Sequence, residues 1–380
     1  MKRQDRLLFI PGPVMVEEDV LLESAKPVVN HRGERFHEIF EEVVERLRKV
    51  LRTENEVVIF TASGSGAVEA LASNFGPRRK AVVINAGEFG ARFSEALKTY
   101  GANVVEVTAQ LGDAPSLEQV AERIQIEKPD IVAFVYNDTS PGIRLSYIRE
   151  LCKVAKEHGA LTLVDAVSAA GGDELDIDSW GIDGLAAASQ KCLAAPPGLS
   201  FVVLSEEAKE KIVRPPVTVY FDLRRYIEFN RRSETPFTPA VTLFTALSKA
   251  LERILRFGVD EWVKMHVERS VVLYNAIQKL GLRPFVREIY RSRTVLSFAT
   301  PDGVSASELR RRLAEAYGIE VASGMGALKD RMIRLGVMGP IKHADILALV
   351  TALGLELERL GVQGDLDGAL REVARLKVYS

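Results

Sequence analysis

Between about residues 40 and 210 the chain alternates short continuous apolar runs with longer segments whose apolar positions recur at helical spacing. The stretch FHEIFEEVVERLRKVLR carries its apolar residues three and four apart, whereas VVIF, just after it, is an apolar run too short for a helix. GAVEALASNF is helical again, and KAVVINAG returns to the strand pattern. The rhythm continues through FSEALKTYGA, NVVEVTA, LEQVAERIQIEKP, IVAFVYND, IRELCKVAKEHGA and LTLVDAVSA. Repeated strand–helix units predict an α/β fold, a mostly parallel sheet flanked by helices on both faces. Ligands of such sheets bind beyond the carboxyl ends of the strands, which points to residues 63–66, 87–89, 137–140 and Asp165.

After about residue 215 the rhythm breaks into a proline-containing stretch, RRSETPFTPAV, followed by one long helical pattern from about Leu243 to Leu280. Beyond it, TVLSFATP and DRMIRLGVMG read as strands of a small sheet between helices. A chain of 380 residues exceeds what one core usually supports. The expected division is an N-terminal segment 1–20, a large domain 21–258 and a smaller α+β C-terminal domain 259–380. No internal repeat or low-complexity segment is present.

Composition narrows the partners. At 47% hydrophobic and 27% charged, with a formal net charge of −2, the chain is an ordinary globular protein without the positive excess that nucleic-acid binding requires. Neither a nucleic acid nor an anionic membrane is an expected partner. The only cysteines, Cys152 and Cys192, form no C-x-x-C, so two reduced thiols and no metal site are expected. The apolar run before Pro11 is about five residues, too short for a signal peptide, and no stretch reaches the ~20 apolar residues of a membrane span. The expected location is cytoplasmic. Charged residues are plentiful while Cys and Met are few, a bias seen in proteins from hot environments.

Three stretches could carry chemistry. In VVIFTASGSGAVEA a strand meets a Gly/Ser turn at a helix start, where free N–H groups and the helix dipole suit a phosphate; a tight turn without a ligand is equally open. The third glycine of a dinucleotide fingerprint is missing, which disfavours a nicotinamide dehydrogenase. Asp165 ends a buried apolar strand and needs a partner, either a helix N-terminus or a protonated cofactor ring nitrogen. Lys191, in LAAASQKCLAAPPGLSF, is crowded by small residues that leave room for a planar ligand. A desolvated lysine favours the neutral amine that attacks an aldehyde, while a lone lysine is ordinarily just solvated. Pyridoxal phosphate needs all three features at once: an anion cradle, an acid and an amine.

At this point the sequence resembles the class V, fold type I pyridoxal-phosphate aminotransferases, in the alanine or serine:glyoxylate/pyruvate branch. IDGLAAASQKCLAAPPGLSF is similar to the family's lysine segment, VDAVSAAGG to its aspartate segment and TASGSGAVEA to its phosphate loop. FIPGPVMV, TPFTPAV and IRLGVMG resemble its amino-terminal Gly-Pro, partner-subunit and substrate-arginine segments. The resemblance spans nearly the whole chain and makes 21–258 the cofactor-binding domain. It implies Lys191 as the Schiff-base lysine, Asp165 as partner of the pyridine nitrogen, Val167 beneath the ring and Phe89 stacked on it. Ser65, Gly66, Ala67 and Gln190 would line the phosphate with Thr238 of a second subunit. Thr139 would lie near the phenolic oxygen, and Arg334, with Gly12 nearby, would grip the substrate carboxylate.

Phe89 stands where relatives often carry tryptophan, Ala67 where some have histidine, and Thr235 where some have tyrosine. The implied enzyme is a homodimer with shared sites that moves an amino group from alanine or serine to glyoxylate or pyruvate. A lyase of the cysteine desulfurase type and a non-catalytic subunit of the same fold are the alternatives. Cys192, fixed beside Lys191, is poorly placed for the mobile nucleophile such a lyase needs. No second arginine motif for a distal carboxylate is evident in the sequence.

Overall fold

The computed structural model describes residues 6–377, so the outer ends of the expected N-terminal segment and C-terminal domain lie outside the described residues. The strands in chain order are β1 Leu7–Phe9, β2 Glu56–Thr61, β3 Lys80–Asn85, β4 Asn103–Thr108, β5 Ile131–Val135, β6 Asn137–Asp138, β7 Ile143–Arg144, β8 Leu161–Asp165, β9 Gly184–Ala188 and β10 Leu199–Leu204. After them come β11 Arg283–Pro284, β12 Val295–Ala299, β13 Ile319–Ser323 and β14 Met332–Gly336. Seven form the large sheet in the order β2-β10-β9-β8-β5-β3-β4. Neighbours from β9 to β4 pair in parallel, and β10 alone runs against the rest.

The continuous apolar runs are strands covered on both faces. Val57 and Ile59 face one core, which the helices Glu34–Leu51 and Val241–Phe257 complete. Val58 and Phe60 face the other, beneath the helix Gly64–Phe75. This alternation follows from the period-two geometry of a strand.

Five strands form the smaller sheet, in the order β1-β13-β14-β12-β11, with a core of its own that includes Phe9, Leu296, Phe298, Ile333 and Leu349. Its edge strand β1 comes from the amino-terminal region and pairs in parallel with β13, Leu7 opposite Ile319.

The single helix expected over 243–280 is two helices, Val241–Phe257 and Val259–Lys279. Both halves keep helical spacing, but Gly258 between them has φ +95°, a conformation glycine adopts without a Cβ penalty. The second helix ties the two sheets together. Its buried Arg269 donates to the carbonyls of Val337, Gly339 and Ile341, just after β14, while Trp262 Nε1 donates to the Cys192 carbonyl at 3.0 Å. Among the described residues no helix is long and apolar enough to cross a membrane, and no metal-holding cluster of His, Cys, Asp or Glu occurs.

Candidate active site

Lys191 lies in the connection between the antiparallel strands β9 and β10. Ser189 closes that connection. Its N–H donates to the Leu199 carbonyl (3.0 Å), its hydroxyl to the Pro196 carbonyl (2.7 Å), and its own carbonyl accepts from Ala195 (3.0 Å). Ala194, in left-handed backbone at φ +53°, donates to the Lys191 carbonyl. The small residues around the lysine are therefore those of a tightly folded turn. The amine donates to the Pro11 carbonyl. A Cβ on Gly12, whose φ is +107°, would lie 2.6 Å from Nζ, so any side chain there would displace the lysine.

Asp165 ends β8, buried at 7% exposure, and accepts the Val167 N–H at 2.9 Å. Burial, with a contribution from the Asp138 charge, pushes its carboxyl up to about 6, against the pull of the Val167 N–H and Lys191. Burial also lowers the Lys191 amine to about 8, with Arg334 adding to the effect and Cys192 and Asp165 opposing it.

Asp165, Lys191, Val167, Phe89, Thr139, Gln190 and Ser65 line one cavity of about 420 Å³. It is also lined by the start of the helix Gly64–Phe75, where Ser63, Gly64 and Ser65 present a first helical turn whose N–H groups lack intrahelical partners. Gly66 and Ala67 lie further into that helix and do not line the cavity. The Gly66 N–H donates to the Ser63 carbonyl (2.8 Å), and Ala67 is packed in the core. Thr238 is exposed and does not line the cavity of its own chain. Thr235 is buried, its hydroxyl donating to the Phe237 carbonyl at 2.7 Å.

A second cavity, about 600 Å³, meets the first at Phe89, Thr139 and Lys191, and is also lined by Gly12, Arg310 and Arg334. Arg334, on β14, donates from Nε to the Ser323 carbonyl (2.7 Å) and from Nη1 to the Thr139 carbonyl (2.8 Å). Burial lowers its pKa to about 10, so it stays cationic at neutral pH. Among the described residues no carboxylate pairs with it. A still larger groove beside the helix Glu34–Leu51 contains none of these residues.

Two residues escaped the sequence reading as individuals. Asp138 accepts the N–H groups of Phe89 and Gly90 (3.0 Å each) and both the N–H and hydroxyl of Ser140, and so fixes the start of the helix Glu88–Thr99 that carries Phe89. Its signal, an acid just past a strand end, was within reach. Arg310 sits in a run of three arginines that reads as a solvated helix face. Cys192 is fully buried against the Ser168 carbonyl, its thiol pushed up by burial, as is that of Cys152.

The first cavity fits pyridoxal 5′-phosphate. An amine, a carboxylate and a helix start share it, and the Gln190 side-chain oxygen is buried there without a hydrogen-bond partner. The class-V aminotransferase family matches residues 17–346. An uncharacterized aminotransferase of Methanocaldococcus jannaschii is 36% identical over 375 residues, 97% of each chain. The crystal structure of the Bacillus subtilis ureidoglycine–glyoxylate aminotransferase superposes with a TM-score of 0.92 at 29% identity, covering 99% of both chains. That of an alanine–glyoxylate aminotransferase from Nostoc sp. gives 0.89 at 30% identity, covering 94% of this chain and 96% of that one.

Proposed function

Because this chain belongs to the class-V aminotransferase family and is a pyridoxal-phosphate-dependent transaminase, we propose that it moves the amino group of alanine or serine to glyoxylate or pyruvate. The observation that carries this reading is the meeting of the two cavities at Lys191, one holding Asp165 and the other Arg334. A small donor needs only those two compartments, one for the cofactor and one for its own carboxylate.

Bound pyridoxal phosphate supplies the electron sink that makes the substrate Cα–H acidic. The protein's part is to bind, orient and move protons. With pyridoxal phosphate bound, Ser65 and Gln190 would hold its phosphate together with Thr238 of a second subunit, with Gly66 and Ala67 supporting the helix start. Phe89 and Val167 would pack on the ring and exclude water, with Thr139 beside them, and the Asp165 carboxylate would hold the proton of the ring nitrogen. Arg334 takes the substrate carboxylate in a bidentate contact, its own position fixed by the Ser323 and Thr139 carbonyls. That contact would turn the Cα–H bond toward Lys191, whose neutral amine would accept the proton at Nζ. Gly12 leaves the room this movement needs.

This reading includes a cytoplasmic homodimer with shared sites and a boundary between the two domains at the Gly258 break. The deeply buried Cys192 thiol speaks against the lyase alternative. The test is a single turnover of the purified holoenzyme with alanine and no acceptor. One pyruvate per subunit, followed by glycine on adding glyoxylate, is expected. Release of sulfide from cysteine without pyruvate from alanine would point to the lyase, and no reaction with any donor to a non-catalytic subunit.

A further inference from the structure

Asp138 lines neither cavity, although its chain neighbours do: Asn137 and Thr139 line the first, and Thr139 the second. It is 1% exposed, and its carboxylate is surrounded by four donors, the N–H groups of Phe89, Gly90 and Ser140 and the Ser140 hydroxyl at 2.6 Å. Burial pushes its pKa up, while these donors oppose that and favour the ionised form. The helix Glu88–Thr99 has no capping side chain of its own, because Gly87 stands at its N-cap. A Cβ there would lie 2.5 Å from the Ser140 hydroxyl oxygen and 2.7 Å from the Asp138 carboxyl carbon. The cap is supplied from a distant segment instead, Ser140 accepting the Glu88 N–H at 2.8 Å beside the two bonds to Asp138.

The same segment holds Arg334, whose Nη1 donates to the carbonyl of Thr139, the residue next to Asp138. Burial lowers the Arg334 pKa to about 10; the Asp138 charge opposes that, and Arg310 adds to it. The carboxylate on the wall of the Arg334 cavity, Glu320, pairs with Arg6. Asp138 is thus a buried anion fixed behind the guanidinium, near enough to offset its charge and outside the space a substrate enters. An anion held there lowers the attraction that an arriving carboxylate meets.

We propose that Asp138 is a positioning residue of the transaminase: it sets Phe89 at the ring and acts as the standing counter-ion of Arg334, so that a carboxylate is held less tightly than Arg334 alone would hold it. The assignment rests on the transaminase reading and on Arg334 taking the substrate carboxylate.

The test compares the parent holoenzyme with Asp138→Asn, Asp138→Ala and Arg334→Ala. In Asp138→Asn the amide oxygen still accepts the Phe89 and Gly90 N–H groups and the amide nitrogen turns to the Ser140 hydroxyl, so the charge goes while most of the cap stays. Asp138→Ala removes both. Calorimetric titration with propionate at a fixed pH reads the hold on a carboxylate, with propionamide as the uncharged control, and visible circular dichroism of the bound cofactor reads how firmly the ring is held. Asp138→Asn is expected to bind propionate at least about threefold more tightly than the parent, with propionamide unchanged. The same tightening is expected of Asp138→Ser, whose neutral hydroxyl also caps a helix. A distorted site would bind both ligands more weakly, so equal or weaker propionate binding by these variants overturns the counter-ion role. The dichroic signal is expected to stay near that of the parent in Asp138→Asn and to be weaker in Asp138→Ala; equal signals in the two overturn the positioning of Phe89. If Arg334→Ala binds propionate as the parent does, the reading of Arg334 itself fails; if it loses propionate and the neutral variants do not gain, only the role of Asp138 fails.

Discussion

In the proposed reaction Lys191 attacks a carbonyl carbon and carries a proton, and both tasks need the neutral amine. With its pKa lowered to about 8, about a tenth of the amine is neutral at pH 7, where an ordinary lysine would offer less than about a thousandth. Asp165, whose pKa burial raises to about 6, has to be ionised for its proposed hold on the ring nitrogen. The rate at which the cofactor-free protein takes up pyridoxal phosphate, followed by the absorbance of the bound cofactor, is therefore expected to rise toward pH 8 as Lys191 loses its proton. An uptake rate flat from pH 6 to 9 would contradict the assignment of Lys191. Asp165 also has a stability signature. Its pKa is higher folded than unfolded, so its penalty on stability is absent at pH values below the unfolded pKa, grows as pH rises and is full above 6. A rise of about two units corresponds to about 3 kcal/mol. Asp165→Asn removes that charge and keeps an oxygen for the Val167 N–H. The cofactor-free variant is expected to be more stable than the parent at pH 8 by about 1–3 kcal/mol in urea unfolding, while turnover falls about a hundredfold or more. A loss of stability would make Asp165 a structural cap. Arg334→Ala is expected to lower kcat/KM for alanine by about 30-fold to several thousandfold, the range for removing one partner of a buried charge pair, and to leave cofactor retention intact. Retention is read from the absorbance of the gel-filtered protein.

The strands β2, β3, β5 and β8 were legible because burial on both faces demands unbroken apolar runs, and their polar end residues led to Asp165 and the 137–140 segment. Lys191 was legible from its crowding, but β9, whose Gly-Leu-Ala-Ala-Ala lacks β-branched residues, carries no strand signal of its own. Small residues are needed there: a Cβ on Gly184 would lie 2.8 Å from a Leu163 methyl group. Other features depended on distant chain segments. A three-residue strand such as β1 has no period to detect, and Arg310 looks like its solvated neighbours until β13 is placed beside it. The Gly258 break was missed because apolar spacing continues across it. Gly258→Ala is expected to cost about 1–3 kcal/mol in urea unfolding, since alanine is strained at φ +95°, with kcat for alanine changed less than about twofold. A stability unchanged within error would mean that the two helices are free to merge.

At the scale of the whole molecule, exposed Thr238 is available to a neighbouring subunit, and the shared-site proposal makes cofactor retention depend on assembly. Sedimentation is expected to show a dimer, with cofactor lost in parallel with dissociation on dilution; a monomer that keeps its cofactor and turns over would exclude sharing. The pairing of β1 with β13 bears on how the protein is made. Leu7 stands opposite Ile319 in the finished sheet, its N–H donating to the Gly318 carbonyl, and closing a loop of roughly 310 residues costs about 5 kcal/mol of chain entropy. On a ribosome adding about 5–20 residues per second, residue 319 follows residue 7 by roughly 15–60 s. For that interval the apolar strand has no partner, and the Pro11 carbonyl and Gly12 have no fixed place against the lysine. The large sheet has all its strands by residue 204 and its covering helix by residue 257, but the proposed site is complete only once β13 and β14, with Arg334, have been synthesised, so products truncated before them would keep a large sheet and be catalytically silent.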